Sequence, residues 1–435
     1  MKFINRTSEL EKLARNQSKL TVLFGRRRIG KTALVMAFAR QQLAADSVFY
    51  SQAIEGAESL QVAQLCADLG ELLPSVIPTN WIEFLALLTT VRRKCIVIID
   101  EFPYLVRASP SLPSRLQKWL DHDCPAHINL IILGSSQTMM HDIFLNGSAP
   151  LFERAGEIIH VKPMSYKYFC IKLDLNPADL DSYLRYSMVG GVPKYWDYID
   201  KKSPVLLLAD SLYFEVGSRL EYEPERLLKD ENIAGEQAKS ILELVGRGVN
   251  RPSEIAARMS VKQTSLSGPL QLLRDASLLQ REIPFGESSR STKRSLYKTY
   301  DHCLAFWYGC FSPHRSRWDL YPKEAKRKII EDHASKMFEQ DYRALFPHAA
   351  RYWESGLELD AVRYADAEGK KLAVTEVKFK SLTPLERAQI AKATEDKFNR
   401  SQLAHRFTCS VEVIDLDDGL RALNSSPEVR DPTSD

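Results

Sequence analysis

The chain has 435 residues, 44% hydrophobic and 26% charged, an ordinary globular composition too long for a single small module and long enough for two to four domains. Lys and Arg total 59 against 56 Asp and Glu, a formal net charge of +3, so a histone-like polycation is excluded and any nucleic-acid surface must be a local patch. No apolar run approaches the roughly 18 residues of a membrane span, and MKFINRTSELEKL lacks the apolar core of a secretory signal, so a cytoplasmic protein without membrane contact is expected.

Up to about residue 165, apolar strand-like runs alternate with helical stretches: LTVLF, KTALVMAFARQQLA, SVFYSQA, CIVIIDE, INLIILGSS and EIIHVKPM. This alternation implies a parallel sheet covered on both faces, the α/β class. Ser8 and Glu11 have the spacing of a capping box. From 166 to 231 the pattern is helical around GGVPKYW, as in a small lid. Between 232 and 310, three helical stretches precede the alternating runs LLQREIPF and RSLYKTYD, the order of a winged helix. Residues 311–435 read as a final α/β unit: a basic helix around PKEAKRKIIEDHASKMFEQDYRALF, strands YWESG, LELDAVRYA and KLAVTEVKFKS, a helix from about Pro384, and a last strand FTCSVEVIDL. The polar tail from Asn424 is expected to fray. Seven Cys without a CxxC pair and nine His without HExxH leave no disulfide framework or zinc site, so any metal must be held by carboxylates and phosphates.

Gly25-Arg26-Arg27-Arg28-Ile29-Gly30-Lys31-Thr32 matches GxxxxGK[ST] between an apolar strand and a helix-forming run. The glycines let backbone N–H groups wrap a phosphate, Lys31 adds a charge, and Thr32 offers a hydroxyl to magnesium. Ile96 to Glu101 is an apolar strand ending in two carboxylates: Asp100 is expected to hold magnesium and Glu101 to polarise the attacking water. A third strand ends in Ser135 and Ser136, either of which suits a polar sensor of the γ-phosphate, and Arg154 is a candidate arginine finger. ATP and Mg2+ are the expected cofactors.

In order along the chain, FINR, GRRRIGKT, IIDEFPYL, GSS, PLFER, GGVPKYW, YKTYDHCLAFWY and LELDAV…TEVKFK resemble the prokaryotic AAA/STAND-type P-loop ATPases that join an ATPase_2-like domain to a DUF234-like carboxyl region. The resemblance implies that Asn5 and Arg6 lie near the nucleotide base and Gly190, Gly191 and Pro193 where the lid meets it.

At the start of the third helix of the winged-helix region, Lys262, Gln263, Thr264, Ser265 and Ser267 stand where a helix-turn-helix reader places its base contacts. The hairpin adds Arg281, Arg290, Lys293, Arg294 and Lys298, and five such charges on phosphates imply a log-affinity against log-salt slope of about −4 to −5. Further on, Asp360 and Thr375-Glu376-Val377-Lys378 lie on two alternating strands, with Glu376 and Lys378 on one face. This is similar to the D…ExK core of the PD-(D/E)xK nucleases. That resemblance implies a restriction-endonuclease-like domain in which Asp360 and Glu376 hold magnesium, Lys378 acts on the attacking water, and Glu339 is an additional acidic ligand. The expectation is an ATP-hydrolysing switch that binds DNA, assembles as a homo-oligomer and controls a nuclease-like carboxyl domain; the alternative is a regulator or scaffold whose carboxyl domain only binds a partner.

Overall fold

The computed structural model describes residues 4–16, 18–42, 47–73, 78–288, 290 and 292–425. The chain divides into two compact units, Met1–Lys162 with Lys229–Asn232, and Pro163–Leu228 with Ile233–Asp435. No helix among the described residues is long and apolar enough to cross a membrane.

The first unit is built on five strands, β1 (Leu20–Phe24), β2 (Val48–Gln52), β3 (Cys95–Asp100), β4 (Ile128–Gly134) and β5 (Glu157–His160). They are ordered β2-β3-β4-β1-β5, and every neighbouring pair is parallel. All six residues of β3 are buried, which is why the run is continuously apolar: a central parallel strand has no solvent face. Helices Glu58–Asp68, Trp81–Thr90 and Gln137–Phe144 lie between the strands in sequence, and Trp81, Phe84, Leu88 and Phe144 share one core with Val22, Val97 and Ile132. Asn80 starts the second of these helices by accepting from the Ile82 and Glu83 N–H groups.

The expected capping box at Ser8 and Glu11 does not form. The helix starts at Thr7 with Arg6, left-handed at φ 75°, as its N-cap and no side-chain cap, so Ser8 lies inside the first turn, where its hydroxyl donates to Glu9, which Arg6 also binds at 2.9 Å. Guanidinium–carboxylate pairing takes over the acid of the first turn.

The second unit is helical through the long helix Lys323–Arg343. Within it, helices Glu236–Gly246, Pro252–Arg258 and Ser267–Asp275 precede an antiparallel pair, β6 (Gln280–Glu282) and β7 (Leu296–Lys298). Each strand has only three residues, shorter than the sequence pattern implies, since Pro284 has no N–H and the Phe285 N–H donates to Arg351 O at 2.8 Å. A four-stranded sheet follows: β8 (Ala350–Glu354), β9 (Leu357–Tyr364), β10 (Lys371–Val377) and β11 (Thr408–Ile414), ordered β11-β10-β9-β8. β9 runs antiparallel to both β8 and β10, whereas β11 returns parallel to β10 after the helix Pro384–Asn399. That helix opens with a capping box of Thr383 and Glu386. Asn424 and Ser425 end the helix Leu416–Ser425; the rest of the tail lies outside the described residues.

Candidate nucleotide site and carboxyl-terminal acidic cluster

The strand order puts β4 between the strands carrying the glycine loop and the paired carboxylates. Phe24 is in register with Gly134 and Ile99 with Ile132, so Gly25, Ser135 and Asp100 emerge along one carboxyl edge, where an α/β sheet forms its ligand crevice. Two positions in the loop require glycine. Gly25 has φ 150°, and a Cβ there would lie 2.4 Å from Val161 O; Gly30 has φ 97°.

Lys31 starts the helix Lys31–Gln42, is buried, and donates to the carbonyls of Gly25 at 2.8 Å and Arg26 at 3.2 Å. Burial pushes its pKa down, against the pull of Glu101 and Asp100. Thr32 Oγ1 donates to Asp100 Oδ2 at 2.5 Å, and the Tyr50 hydroxyl donates to the same oxygen at 3.1 Å. A hydroxyl and a carboxylate oxygen this close form the oxygen donor set a magnesium ion takes. Glu101 has left-handed backbone at φ 55°, and its carboxylate accepts from Ser135 Oγ at 2.7 Å and Ser135 N at 3.3 Å. Of the two serines, Ser135 therefore touches the acid beside it, while Ser136 caps the next helix through Met139 N at 3.3 Å.

The remaining amino-terminal candidates do not all lie at this edge: Arg154 precedes β5, whose Glu157 is in register with Thr21 near the start of β1, and so sits at the opposite, amino end of the sheet. Arg27 is exposed and paired with Asp230 at 2.8 Å. Arg28 has left-handed backbone at φ 68°, as has Asn5 at φ 58°. Arg6 is buried and reaches Ile29 O at 3.2 Å, which ties the amino terminus to the glycine loop. Arg154 bonds Asp121 at 2.8 Å and Phe152 O at 3.3 Å. Pro193 opens the short helix Pro193–Trp196 of the second unit. Asp230 and Glu231, which sequence reasoning missed, contact this edge and no local pattern marks them.

In the second unit, the carboxylate oxygens of Glu339, Glu358 and Asp360 lie within 4.8 Å of one another. Asp360 accepts the Val377 N–H at 3.0 Å; burial, reinforced by the charges of Glu339 and Glu376, pushes its pKa up to about 7. Glu376 is buried and held by Lys378 at 2.8 Å and by Lys397 at 3.3 Å. Two participants went unread in the sequence. Glu358 was detectable, since positions two apart on a strand share a face; Lys397 was not, because it lies on the following helix. Arg351 pairs with both Glu339 and Glu358, and Arg343 reaches Glu339 at 3.3 Å and Asp360 O at 3.0 Å. Glu282 on β6 binds both arginines, at 3.0 Å (Arg343) and 3.1 Å (Arg351), and Lys298 at 3.3 Å; their positive charges hold its carboxyl down at about 2 despite burial. A cavity of ≈ 760 Å³ is bordered by Glu339 and Glu358 together with Arg251, Lys298 and Lys336.

Lys262, Gln263, Thr264, Arg290 and Lys293 are exposed. Arg281 donates to Thr292 O at 3.1 Å, Arg294 pairs with Glu287, and Lys298 with Glu282. Part of the expected basic patch is thus already neutralised. Pro269 falls in the first turn of the helix Ser267–Asp275, where its missing N–H costs nothing, after the 3₁₀ turn Gln263–Leu266.

The parallel five-stranded sheet, with its glycine loop and acid-tipped neighbouring strands, defines the first unit as a P-loop ATPase fold. Residues 3–199 match the model of the ATPase_2 family, an ATPase domain predominantly from Archaea. An uncharacterized protein of Methanocaldococcus jannaschii, MJECL04, is 29% identical over 434 residues, covering 92% of each chain. Among solved structures, the Walker-type ATPase PABY2304 of Pyrococcus abyssi has a similar fold: TM-score 0.50 and 18% identity over 70% of this chain and 96% of that one. Cdc6p of Pyrobaculum aerophilum overlaps more loosely, with TM-score 0.33 and 15% identity over 77% of this chain and 96% of that one.

Proposed function

We propose that the protein is an ATP-hydrolysing switch that uses magnesium-ATP at the glycine loop, contacts DNA through residues 232–310, and controls a nuclease-like domain at 311–435. The observation that carries the reading is the convergence of Lys31, Thr32, Asp100, Glu101 and Ser135 at one sheet edge. Lys31 exchanges two backbone carbonyls for phosphate oxygens, Thr32 and Asp100 hold the cation, and Glu101 orients the attacking water once Ser135 turns from it to the γ-phosphate. A magnesium ion held by Thr32 and Asp100 would supply positive charge against the charge developing on the phosphate. Residues 1–165 are the ATPase domain and 166–231 its lid, Asn5, Arg6 and Pro193 border the nucleotide, and Arg154 acts as the finger between copies of a cytoplasmic homo-oligomer.

The DNA-binding part is supported by three helices followed by a hairpin and by exposed Lys262, Gln263, Thr264 and Lys293. The nuclease-like part is supported by the order helix, three antiparallel strands, helix, parallel strand, with Asp360, Glu376, Lys378 and Glu339 at its centre. One observation favours a second reading, in which this domain only binds a partner: Arg351 and Arg343 engage the acidic trio where a divalent ion would bind. The test is plasmid incubated with the protein, ATP and Mg2+, alongside Lys31→Ala and Glu376→Ala. Nicking that depends on both residues supports the first reading; ATP turnover without nicking supports the second; absence of ATP uptake refutes both.

A further inference from the structure

Lys229–Asn232 is the one stretch beyond Lys162 that groups with the ATPase unit. It takes in the end of the helix Glu223–Asp230 and forms a tight turn, with Asn232 N donating to Lys229 O at 3.0 Å and Asn232 left-handed at φ 58°. The turn projects two adjacent carboxylates onto elements that carry the nucleotide chemistry. Asp230 pairs with Arg27 of the glycine loop, and its carbonyl accepts from Arg107 at 3.2 Å, on the helix that follows Glu101. Glu231 is buried and accepts from Ser136 Oγ at 3.0 Å, Gln137 N at 2.9 Å and Thr138 N at 3.2 Å.

These three donors belong to the turn that presents Ser135 to Glu101. The Gln137 and Thr138 N–H groups would otherwise be orphan donors at the start of a helix, and a full carboxylate there is stronger than an ordinary cap. Burial nonetheless opposes its ionisation and raises its pKa. A cap serving stability alone would not need a carboxylate brought from 93 residues away in sequence, counting from Thr138.

We infer that the Asp230–Glu231 turn is a positioning element of the ATPase site. Glu231 fixes the Ser135–Ser136 turn, and with it the orientation of Glu101, while Asp230 steadies the glycine loop through Arg27. This rests on the proposed ATP hydrolysis at that edge. Because the chain enters the turn directly from the helix Glu223–Asp230, a change in either contact is felt along that helix.

The test uses the full chain and steady-state ATP turnover in wild type, Glu231→Ala, Glu231→Gln and Asp230→Asn, with thermal melts of each. Loss of the contact acts on the reacting geometry, so Glu231→Ala should lower kcat about tenfold or more with KM within about threefold. Glu231→Gln keeps one acceptor and should recover part of kcat, and Asp230→Asn should raise KM more than it lowers kcat. Hydrogen exchange in residues 223–232 should slow on adding magnesium-ATP to wild type and not to Glu231→Ala. Wild-type turnover with kcat unchanged in a folded Glu231→Ala overturns this inference alone, as does a loss of kcat fully accounted for by unfolding in both Glu231 variants. A wild-type chain that takes up no ATP overturns the underlying reading and this inference with it.

Discussion

Lys31→Met separates what the lysine does for the fold from what it does for the ligand. Methionine keeps the apolar stem in its buried slot and removes only the ammonium. Without nucleotide, the change deletes the bonds to Gly25 O and Arg26 O at 2.8 and 3.2 Å, each charge-assisted and contributing about 1.5–3 kcal/mol before desolvation is counted. It also removes the cost of holding a buried ammonium, visible as the depressed pKa and amounting to several kcal/mol. The two nearly cancel, so stability should move by only about 1 kcal/mol in either direction. With a triphosphate in the loop, one charged contact of about 1.5–3 kcal/mol is missing, a roughly 10- to 150-fold loss of affinity. Calorimetric titration with magnesium-ATP, run beside a thermal melt, reads both effects. An equally folded variant whose Kd stays within about threefold of wild type would refute the assignment of Lys31 to phosphate.

Glu101→Gln should cut turnover by about 10² to 10⁴-fold, the usual contribution of a positioned base, while ATP binding is retained; parallel loss of both in a rapid-mixing assay would contradict the role. Asp360, with its carboxyl raised to about 7 from an unfolded value of about 3.9, binds more protons folded than unfolded between those pH values. Stability therefore falls as pH rises through that window. A divalent ion must displace the Asp360 proton at pH 6 but not at pH 8, so the melting shift produced by Mn2+ should be larger at pH 8, and Asp360→Asn should abolish the difference. With Arg294 and Lys298 already paired to Glu287 and Glu282 and Arg281 turned to Thr292 O, duplex DNA binding should show a log-salt slope of about −3, from Lys262, Arg290 and Lys293, instead of about −4 to −5. A fluorescence-anisotropy series across salt that stays flat would remove DNA from the proposal.

The amino-terminal sheet was legible because its signals are local. A glycine loop and an acid-tipped apolar strand each occupy a few consecutive residues, and their placement follows from strand and helix alternation alone. What escaped was set by distance. Glu231 meets Ser136 across 95 residues, and Lys397 reaches Glu376 from a helix whose own pattern gives no reason to face it. Local detail explains the smaller misses. The spacing at Ser8 and Glu11 is right for a cap, but the helix begins at Thr7, leaving Ser8 inside its first turn beside Glu9. The β6–β7 ladder stops early because Pro284 lacks a donor and Phe285 bonds to Arg351.

The two acidic centres differ in what surrounds them, and the difference bears on how each is used. Asp100 is met by two neutral hydroxyls, from Thr32 and Tyr50, so a cation arriving there displaces no ion pair. At the carboxyl-terminal trio, a cation must compete with Arg351 and Arg343, and both are anchored from behind by Glu282. Arg343 and Arg351 are largely buried while Glu339 and Glu358 are partly exposed, so the cost of parting them falls on the guanidinium groups. The first centre would therefore take a cation without parting an ion pair, while at the second a cation competes with both arginines and binds the more weakly for it. Glu282 sits on β6 of the region proposed to meet DNA, and Phe285 just beyond it bonds Arg351 O, so a ligand that moved that hairpin would act on the acidic trio through Arg343 and Arg351.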